Sequence, residues 1–387
     1  MINGIKTIGI IGGGQLGKMM ILEAKRLGFK IVTLDPARAC PSRSISDEYI
    51  KAGFESKAGF LRLAGKSDVV TYEFEHVDVR LLKILEKNGK RVFPSVESLS
   101  VIQDKLWQKD ALLQKGIPVP EFAAVNDRND IYVYYDRNKK PFFLKSRRGG
   151  YDGKGNFFVK NREDIETGFE YLEGKKRKLM VEAAVDFEKE VSVIAVRGQN
   201  GECAVYPIAE NVHKNSILDT TRVPAAISKK TEERVMEISK QVMDCFNGVG
   251  TFCTELFVNE KAGVFFVNEV APRVHNTGHY TIEACRVNQF ENHIRAITGL
   301  DLGSPEMTVG AAIMKNVIGG QDGKARFAGV EGAYKVEGVN AHIYGKEEVT
   351  RGRKMGHFTV TGRNLAECAE RAERVNIVVA AMEEGLS

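Results

Sequence analysis

The sequence predicts a mixed α/β and α+β protein of three domains, and three observations lead to this fold class. Residues 1–100 alternate short apolar strands with helices, which is typical of a parallel α/β sheet. Two apolar runs, Phe252–Val258 and Val264–Val270, flank a short polar stretch and predict a β-hairpin within a second domain, residues 101–300. Short strands and turns predominate in residues 301–387 and predict a small β-rich third domain.

Composition excludes several functional classes. The 387 residues are 43% hydrophobic and 28% charged, and the formal net charge is +5. Since the basic residues are dispersed, nucleic acid is not expected as a partner, whereas a small anionic substrate is. The six cysteines contain no CxxC pair, which argues against a zinc site and a disulfide framework and predicts a reducing compartment. No apolar run reaches the ~18 residues of a membrane span, and no signal-peptide core is present. We therefore expect a cytoplasmic protein without a membrane partner.

The first strand, Thr7–Ile11, runs into the glycine-rich turn Gly12–Gly17 and a helix that ends near Leu27. A second strand, Lys30–Leu34, ends in Asp35. This is the GxGxxG pattern of dinucleotide-binding, Rossmann-like domains, so an NAD-dependent oxidoreductase is one hypothesis. The alternative is a strand–helix turn whose glycines only permit close packing. A proline-bounded segment follows the acid, and nothing downstream looks like a hydride-transfer site, which weighs against NAD.

The third predicted strand, Asp68–Phe74, ends in acidic residues, Glu73 and Glu75. Acids at the carboxyl end of a parallel strand lie where open α/β sheets bind ligands, although a solvated strand end is the alternative. A helix over Asp78–Asn88 and a short strand near Val92 complete the domain.

Helical spacing over Ser95–Lys115 opens the second domain and places Lys105 and Lys109 on one face, where lysine pairs are usually solvated. A buried strand, Pro141–Lys145, then leads into the glycine-rich segment Gly149–Gly155. Backbone amides of such a loop can converge on phosphate oxygens, so the segment is either a phosphate cradle or a plain hairpin loop.

The remaining elements of this domain are predicted from their apolar spacing. They are a helix over Asn161–Leu172, a strand over Leu179–Val185, a helix over Thr231–Phe246, and a helix from about Thr281 to Gly299 that follows the hairpin.

The predicted hairpin carries one carboxylate in each strand. If the strands pair symmetrically about Ala262, Glu255 faces Glu269 directly. Like charges opposite each other destabilise a sheet, so the arrangement favours a bound cation, and carboxylates with phosphate oxygens are typical Mg²⁺ ligands. The alternatives are solvent-facing edge residues or separate pairing with arginines. Polar residues crowd the segment Pro272–His279 immediately after the second strand.

Basic residues cluster in the third domain, in Tyr344–Lys346 and Arg351–His357. Such a cluster is usually a solvated face, but lysine and arginine among glycines also form phosphate sites. A helix over Asn364–Glu384 is predicted to close the chain.

Four motifs occurring in order, GGGQLG, GGYDGKG, NEVAPRVHNTGH and YGK…GRKMGH, resemble those of the N5-carboxyaminoimidazole ribonucleotide synthase family of ATP-grasp enzymes. The resemblance implies a Rossmann-like N-terminal domain without its own nucleotide, a central ATP-grasp domain of two subdomains, and a β-rich C-terminal domain. It also implies ATP-dependent carboxylation of 5-aminoimidazole ribonucleotide by bicarbonate, with ATP and Mg²⁺ as cofactors and a homodimeric assembly.

The resemblance assigns roles residue by residue. It implies Mg²⁺ ligation by Glu255 and Glu269 and catalysis by Lys145, Arg273, His275 and Asn276. The implied ATP-binding residues are Lys105, Lys145, Gly150, Tyr151, Asp152, Gly153, Lys154, Gly155, Asn156, Glu182, Ala183, Ala184, Val185, Glu190, His213, Asn268 and Glu269. The implied ribonucleotide-binding residues are Glu73, Glu75, Tyr151, Lys154, Arg273, His275, Asn276, Lys346, Arg353 and Lys354.

Three other functions are considered. A different ATP-grasp ligase would share the carboxylate hairpin but lack the RVHNTGH and YGK…GRKMGH segments. An NAD-dependent oxidoreductase would use the first glycine turn and no Mg²⁺. A non-catalytic nucleotide sensor would keep the phosphate loop without ribonucleotide-dependent release of phosphate.

Overall fold

The computed structural model describes residues 2–150 and 155–381. Its N-terminal part contains a parallel sheet with the strand order β3-β2-β1-β4-β5, flanked by helices. The elements are β1 Thr7–Ile11, α1 Gln15–Arg26, β2 Lys30–Asp35, β3 Glu48–Lys51, α2 Lys57–Gly65, β4 Val69–Tyr72, α3 Val79–Lys87 and β5 Arg91–Val92. This order confirms the predicted α/β domain. The strand order reverses between β1 and β4, which is where such sheets form a ligand crevice.

Two helices, α4 Val96–Ile102 and α5 Lys105–Gln114, follow where one continuous helix is predicted. The prediction is wrong because Asp104 starts a new helix: its carboxylate accepts the backbone N–H groups of Leu106 and Trp107 at 3.2 and 3.5 Å. The break matters for the site, since it fixes the direction in which Lys105 leaves the first turn of α5.

A four-stranded sheet of order β6-β9-β7-β8 comes next. Its elements are β6 Phe122–Val125, α6 Arg128–Asn138, β7 Phe142–Ser146, β8 Asn156–Val159, α7 Asp164–Tyr171 and β9 Leu179–Ala183. The second sheet is a large antiparallel one of order β15-β14-β10-β12-β13-β16-β20-β18, with β11 paired to β10. Two antiparallel sheets of this kind match the two subdomains implied for the central region.

The large sheet begins in the central region. Its elements there, with the helices that cover it, are β10 Lys189–Arg197, β11 Cys203–Val205, β12 Ala209–Lys214, β13 Ile217–Val223, α8 Lys229–Phe246, β14 Gly250–Asn259, β15 Val264–Ala271, α9 Thr281–Ala284 and α10 Gln289–Thr298. The predicted single helix after the hairpin is wrong, because Asn288 caps a separate helix by accepting the N–H groups of Phe290 and Glu291 at 3.0 and 2.9 Å.

The C-terminal segment continues the same sheet, because β16 pairs with β13. Its elements are β16 Ala311–Ile318, β17 Gly323–Ala328, α11 Val330–Ala333, β18 Val339–Ile343, β19 Glu348–Val349, β20 Lys354–Gly362, α12 Leu365–Glu373 and β21 Val378–Ala381. The predicted closing helix ends at Glu373. The β-branched residues after it form β21, which pairs with β17.

One buried histidine joins the N-terminal sheet to the large sheet. His293 on α10 accepts the Thr251 N–H through Nδ1 at 3.1 Å, so its Nε2 donates to the Thr71 hydroxyl at 2.8 Å. Burial holds the pKa of His293 at about 3, and the ring stays neutral in this role. Within the described residues, no helix has both the length and the apolarity that a membrane crossing requires.

Candidate active site

The carboxylate hairpin forms as predicted, with one irregularity that sets its chemistry. Near the turn, Leu256 pairs with Val267, and that register would place Glu255 opposite Asn268. A β-bulge shifts the pairing by one residue, so Glu255 instead lies directly opposite Glu269. The predicted opposition of the two carboxylates is thus confirmed, and the bulge produces it.

A third carboxylate lies on the same face of the sheet. Ser192 of β10 pairs with Glu255, and Glu190 stands two residues earlier on β10 and therefore on the same face. Burial raises the pKa of Glu255 to about 8, with Glu190 and Glu269 adding to the shift. Burial also raises the pKa of Glu190 to about 7 against the opposing charge of Lys145. The three carboxylates, Glu190, Glu255 and Glu269, therefore favour a positively charged group between them.

One side chain of α5 supplies part of that charge. Lys105 Nζ lies 2.6 Å from Glu269 Oε1, and this carboxylate raises the pKa of Lys105 although burial opposes the shift. In the described ranges, no lysine or arginine forms a salt bridge with Glu255. Carboxylate oxygens with a raised proton affinity suit a hard divalent cation such as Mg²⁺. The donor set fits the implied metal.

Two more lysines, Lys109 and Lys145, form salt bridges with Glu182. Its carboxylate lies 2.5 Å from Lys145 Nζ and 2.7 Å from Lys109 Nζ, and the Glu182 and Lys109 side chains are 2% and 3% exposed. Burial alone would raise the pKa of Glu182, but the two ammonium groups lower it to about 2. The expectation that Lys109 is solvated is wrong, since it also donates to the Asn268 carbonyl at 3.1 Å. One carboxylate shared by two lysines leaves positive charge for phosphate.

The segment implied to contact adenine connects the two sheets. Ala183 ends β9 of the small sheet, and residues 184 and 185 lead towards β10 of the large sheet and are partly exposed. The Glu182 carboxylate is paired with lysines, and the alanines offer no polar side chain, so only backbone groups of this segment are available to a base. His213 on β12 lies 3.5 Å from a Glu190 oxygen, which brings these two implied ATP-binding residues together.

The glycine-rich loop is described only at its ends. The Ser146 N–H donates to the Gly155 carbonyl at 2.8 Å, and Lys145 pairs with Asn156. The strands on either side of the loop, β7 and β8, are therefore antiparallel neighbours, as expected for a hairpin. The implied roles of Tyr151, Asp152, Gly153 and Lys154 fall on residues that lie outside the described ranges.

The end of the hairpin is tied to the N-terminal domain by a buried ion pair. The Arg273 guanidinium contacts the Glu75 carboxylate, and both side chains are largely buried. Burial alone would raise the pKa of Glu75, but Arg273 holds that pKa well below its usual range. The predicted ribonucleotide residues Glu75 and Arg273 are therefore brought together.

His275 and Asn276 follow at the floor of the site. His275 Nε2 lies 3.6 Å from Glu255 Oε1, and burial, with Arg273 and Lys354 nearby, keeps the pKa of His275 well below its usual value. The Asn276 amide is already used: it exchanges hydrogen bonds of 3.1 and 2.8 Å with the Asn316 amide on β16. Sequence reasoning missed Asn316, because no local pattern links a strand asparagine to a loop 40 residues away.

Glu73 has a place that the sequence did not predict. Its carboxylate accepts the Gly14 N–H at 2.5 Å and the Gly17 N–H at 2.7 Å, at the start of α1. Asp35 likewise accepts the Gly13 N–H at 2.8 Å. These backbone amides bind the pyrophosphate in a dinucleotide-binding fold, so the protein's own acids fill the anion site here. The geometry therefore does not favour the NAD hypothesis.

The basic residues predicted to bind phosphate do not all face the same place in the structure. Lys346 Nζ donates to the Lys354 carbonyl at 2.6 Å, and its charge opposes the burial that raises the pKa of Glu73. Lys354 is close enough to lower the pKa of His275. Arg353, in contrast, is exposed and donates to the Glu348 carbonyl at 2.9 Å. Two lysines thus border the site, and Arg353 must leave its present partner to join them.

Comparisons with protein families match almost the whole chain. A model for the ribonucleotide synthetase preATP-grasp domain matches residues 5–103, and one for the ATP-grasp domain matches residues 110–290. A model for the phosphoribosylaminoimidazole carboxylase C-terminal domain matches residues 312–371.

Curated relatives agree with these matches. The N5-carboxyaminoimidazole ribonucleotide synthase of Staphylococcus aureus strain COL is 38% identical over 92% of each chain. The enzyme of that name from Bacillus subtilis strain 168 is 38% identical over 91% of this chain and 90% of that one. A chloroplastic phosphoribosylaminoimidazole carboxylase of Vigna aconitifolia is also 38% identical, but this chain spans only 65% of its length.

Solved structures show the same likeness. N5-carboxyaminoimidazole ribonucleotide synthetase from Thermotoga maritima aligns with a TM-score of 0.87 and 42% identity over 97% of this chain and 100% of that chain. The Aspergillus clavatus N5-carboxyaminoimidazole synthase, in complex with ADP and 5-aminoimidazole ribonucleotide, aligns with a TM-score of 0.88 and 33% identity over 96% and 98%.

The raised pKa of Glu255 predicts a pH-dependent stability. A carboxyl group with a folded-state pKa of about 8 stabilises the fold while protonated, and this contribution is lost as pH rises from its usual value of 4.5 towards 8. Glu255→Gln removes the titration. In thermal unfolding without metal or nucleotide, the stability advantage of Glu255→Gln over wild type should therefore grow between about pH 5 and about pH 8. Glu170→Gln, at an exposed position of α7, serves as the control and should show no such trend. A pH-independent difference for Glu255→Gln would contradict the prediction.

Proposed function

The chain belongs to the N5-carboxyaminoimidazole ribonucleotide synthase family of ATP-grasp enzymes, and we propose that it catalyses the reaction for which that family is named. ATP, bicarbonate and 5-aminoimidazole ribonucleotide give N5-carboxyaminoimidazole ribonucleotide, ADP and phosphate, a step of purine biosynthesis. The observation that carries this proposal is one shared site, in which the opposed pair Glu255 and Glu269 lies beside Arg273, His275 and Lys354. Phosphate chemistry and an anionic acceptor can therefore meet there.

Phosphoryl transfer is the first step. A bicarbonate oxygen attacks the γ-phosphorus of ATP, the bond to the β–γ bridging oxygen breaks, and ADP leaves as carboxyphosphate forms. Lys105 of α5 and Lys145 of β7 hold the phosphates, which limits the reaction to an in-line geometry. Glu255 and Glu269 would hold Mg²⁺, which when bound would supply positive charge to neutralise the transferred phosphoryl group.

Carboxylation follows at the hairpin end. The exocyclic amine attacks the carboxyl carbon of carboxyphosphate, or of CO₂ released from it, and phosphate departs. Arg273 suits the planar carboxyl group because its guanidinium presents two parallel donors, and Glu75 fixes the orientation of that guanidinium. The neutral imidazole of His275 can accept the proton that the amine loses.

The ribonucleotide phosphate is assigned to the basic residues of the C-terminal segment, Lys346, Arg353 and Lys354. Lys346 and Lys354 already border the space between the α1 loop and His275. Arg353 is exposed and reaches the same phosphate by leaving the Glu348 carbonyl. We further propose Mg²⁺ as the working metal and a cytoplasmic homodimer as the working form; the six unpaired thiols suit a reducing compartment.

The direct test of the proposed function is an assay of ADP formation with purified protein, ATP and Mg²⁺. ADP should form in proportion to 5-aminoimidazole ribonucleotide when bicarbonate is present, and carboxylated ribonucleotide should accumulate in equal amount. ADP formation that ignores the ribonucleotide would contradict the substrate assignment. ADP formation with another acceptor alone would indicate a different ATP-grasp ligase.

The phosphate assignment predicts a selective loss of ribonucleotide affinity. Lys354→Ala and Arg353→Ala should each raise the KM for 5-aminoimidazole ribonucleotide about tenfold to a hundredfold, since a hydrogen bond to a charged group is worth roughly 1.5–3 kcal/mol. The KM for ATP should stay nearly constant. The matched control is Arg351→Ala, an exposed arginine two residues earlier in the same turn, which should change neither KM. The dephosphorylated nucleoside should be a poor substrate for wild type and scarcely worse for the variants. Equal sensitivity of nucleoside and nucleotide would mean that these residues do not bind the phosphate.

A further inference from the structure

A buried cysteine close to Glu255 takes no part in the proposed reaction. Cys253 is two residues before Glu255 on β14, so both side chains point to the same face of the sheet. One ligand atom each of Cys253, Glu255 and His275 lie within 4.8 Å of one another. The Thr277 hydroxyl contacts two of these three residues: Oγ1 lies 3.6 Å from Cys253 Sγ and 2.9 Å from His275 Nδ1.

A thiol, a carboxylate and an imidazole form a distinctive donor set. Zinc sites commonly use three protein ligands of these kinds and leave the fourth position to water or another ligand. A thiolate and a carboxylate together balance a divalent charge, so a cation here would form a neutral buried unit. Magnesium prefers oxygen ligands, whereas sulfur selects softer metals, which separates this donor set from the oxygen pair Glu255 and Glu269.

We propose that Cys253, Glu255 and His275 form a binding site for a thiophilic divalent cation, represented by Zn²⁺, whose occupation excludes Mg²⁺ by capturing Glu255. Binding releases to solvent the thiol proton of Cys253 and the proton carried by the Glu255 carboxyl group, as the S–metal and O–metal bonds form. The two sites share one carboxylate and lie side by side on the same face of β14, so they are alternatives. The binding half of the proposal stands on the geometry alone, and the inhibitory half rests on the proposed function.

Metal binding is measured first, on the full chain without nucleotide. Competition with a chromophoric chelator gives the Zn²⁺ affinity of wild type, of Cys253→Ser and of Cys368→Ser. Cys368 is the matched control, because its thiol is also fully buried but lies on α12 in a different hydrophobic cluster. Loss of one ligand should weaken binding about tenfold or more in Cys253→Ser and leave Cys368→Ser unchanged.

Cobalt substitution identifies the donor atoms. The Co²⁺ complex of wild type should show a thiolate charge-transfer band in the near ultraviolet, and Cys253→Ser should lack it. Wild-type Zn²⁺ affinity in Cys253→Ser, or a wild-type Co²⁺ complex without that band, would overturn the site. Circular dichroism checks that each variant folds, and Cys253→Ala provides a second substitution of the same thiol.

Inhibition is measured separately. In the ADP assay, Zn²⁺ should inhibit wild type in competition with Mg²⁺, and Cys253→Ser should keep its turnover while needing about tenfold more Zn²⁺ for the same inhibition. Zn²⁺ binding through the thiol with no ribonucleotide-dependent turnover would uphold the site and reject the proposed function. Turnover with inhibition that is equal in wild type and Cys253→Ser would reject the inhibitory site and leave the proposed function intact.

Discussion

The structure depends on holding two like charges face to face. Glu255 and Glu269 oppose each other across an antiparallel pair, an arrangement that destabilises a sheet unless a cation lies between them. The β-bulge at Asn268 produces this opposition. Without the bulge, the pairing of Leu256 with Val267 would continue and place the Asn268 side chain opposite Glu255. Lys105 pairs with Glu269 and also favours the charged form of Glu255, but burial and the neighbouring carboxylates outweigh it and raise the pKa of Glu255. A divalent cation bound between the two carboxylates would therefore favour the ionised form of Glu255.

Three segments of the chain converge on this hairpin, and each is fixed by a buried polar contact. His293 connects β4 and β14, the strand that carries Glu255. Glu75 holds Arg273 from the N-terminal side, and Asn316 on β16 holds Asn276 from the C-terminal side. Each of these contacts joins groups that would be costly to leave unpaired in the interior. The relative placement of the three segments is therefore specified by chemistry at the site itself.

Sequence patterns predicted the features that depend on local spacing. Symmetric pairing about Ala262 predicted that Glu255 faces Glu269, and the glycine turn after β1 identified the α/β sheet. Contacts between residues that are distant in the sequence could not be predicted from these patterns. Lys109 resembles a solvated helix lysine until β9 brings Glu182 to it, and Glu73 resembles a ligand-binding acid until it folds onto the α1 amides. The boundary between α4 and α5 had a local signal, because aspartate is a good helix-capping residue and Asp104 precedes Lys105. The regular spacing of apolar residues nevertheless predicted one continuous helix.

The central claim, that the opposed carboxylates hold the divalent cation, is tested most directly by Mn²⁺ binding measured by electron paramagnetic resonance. The measurement uses the protein with a non-hydrolysable ATP analogue, as wild type, Glu269→Gln and the control Glu170→Gln. Our account predicts that Glu269→Gln binds Mn²⁺ about tenfold more weakly or worse, while Glu170→Gln matches wild type. Equal Mn²⁺ affinity in wild type and Glu269→Gln would contradict it.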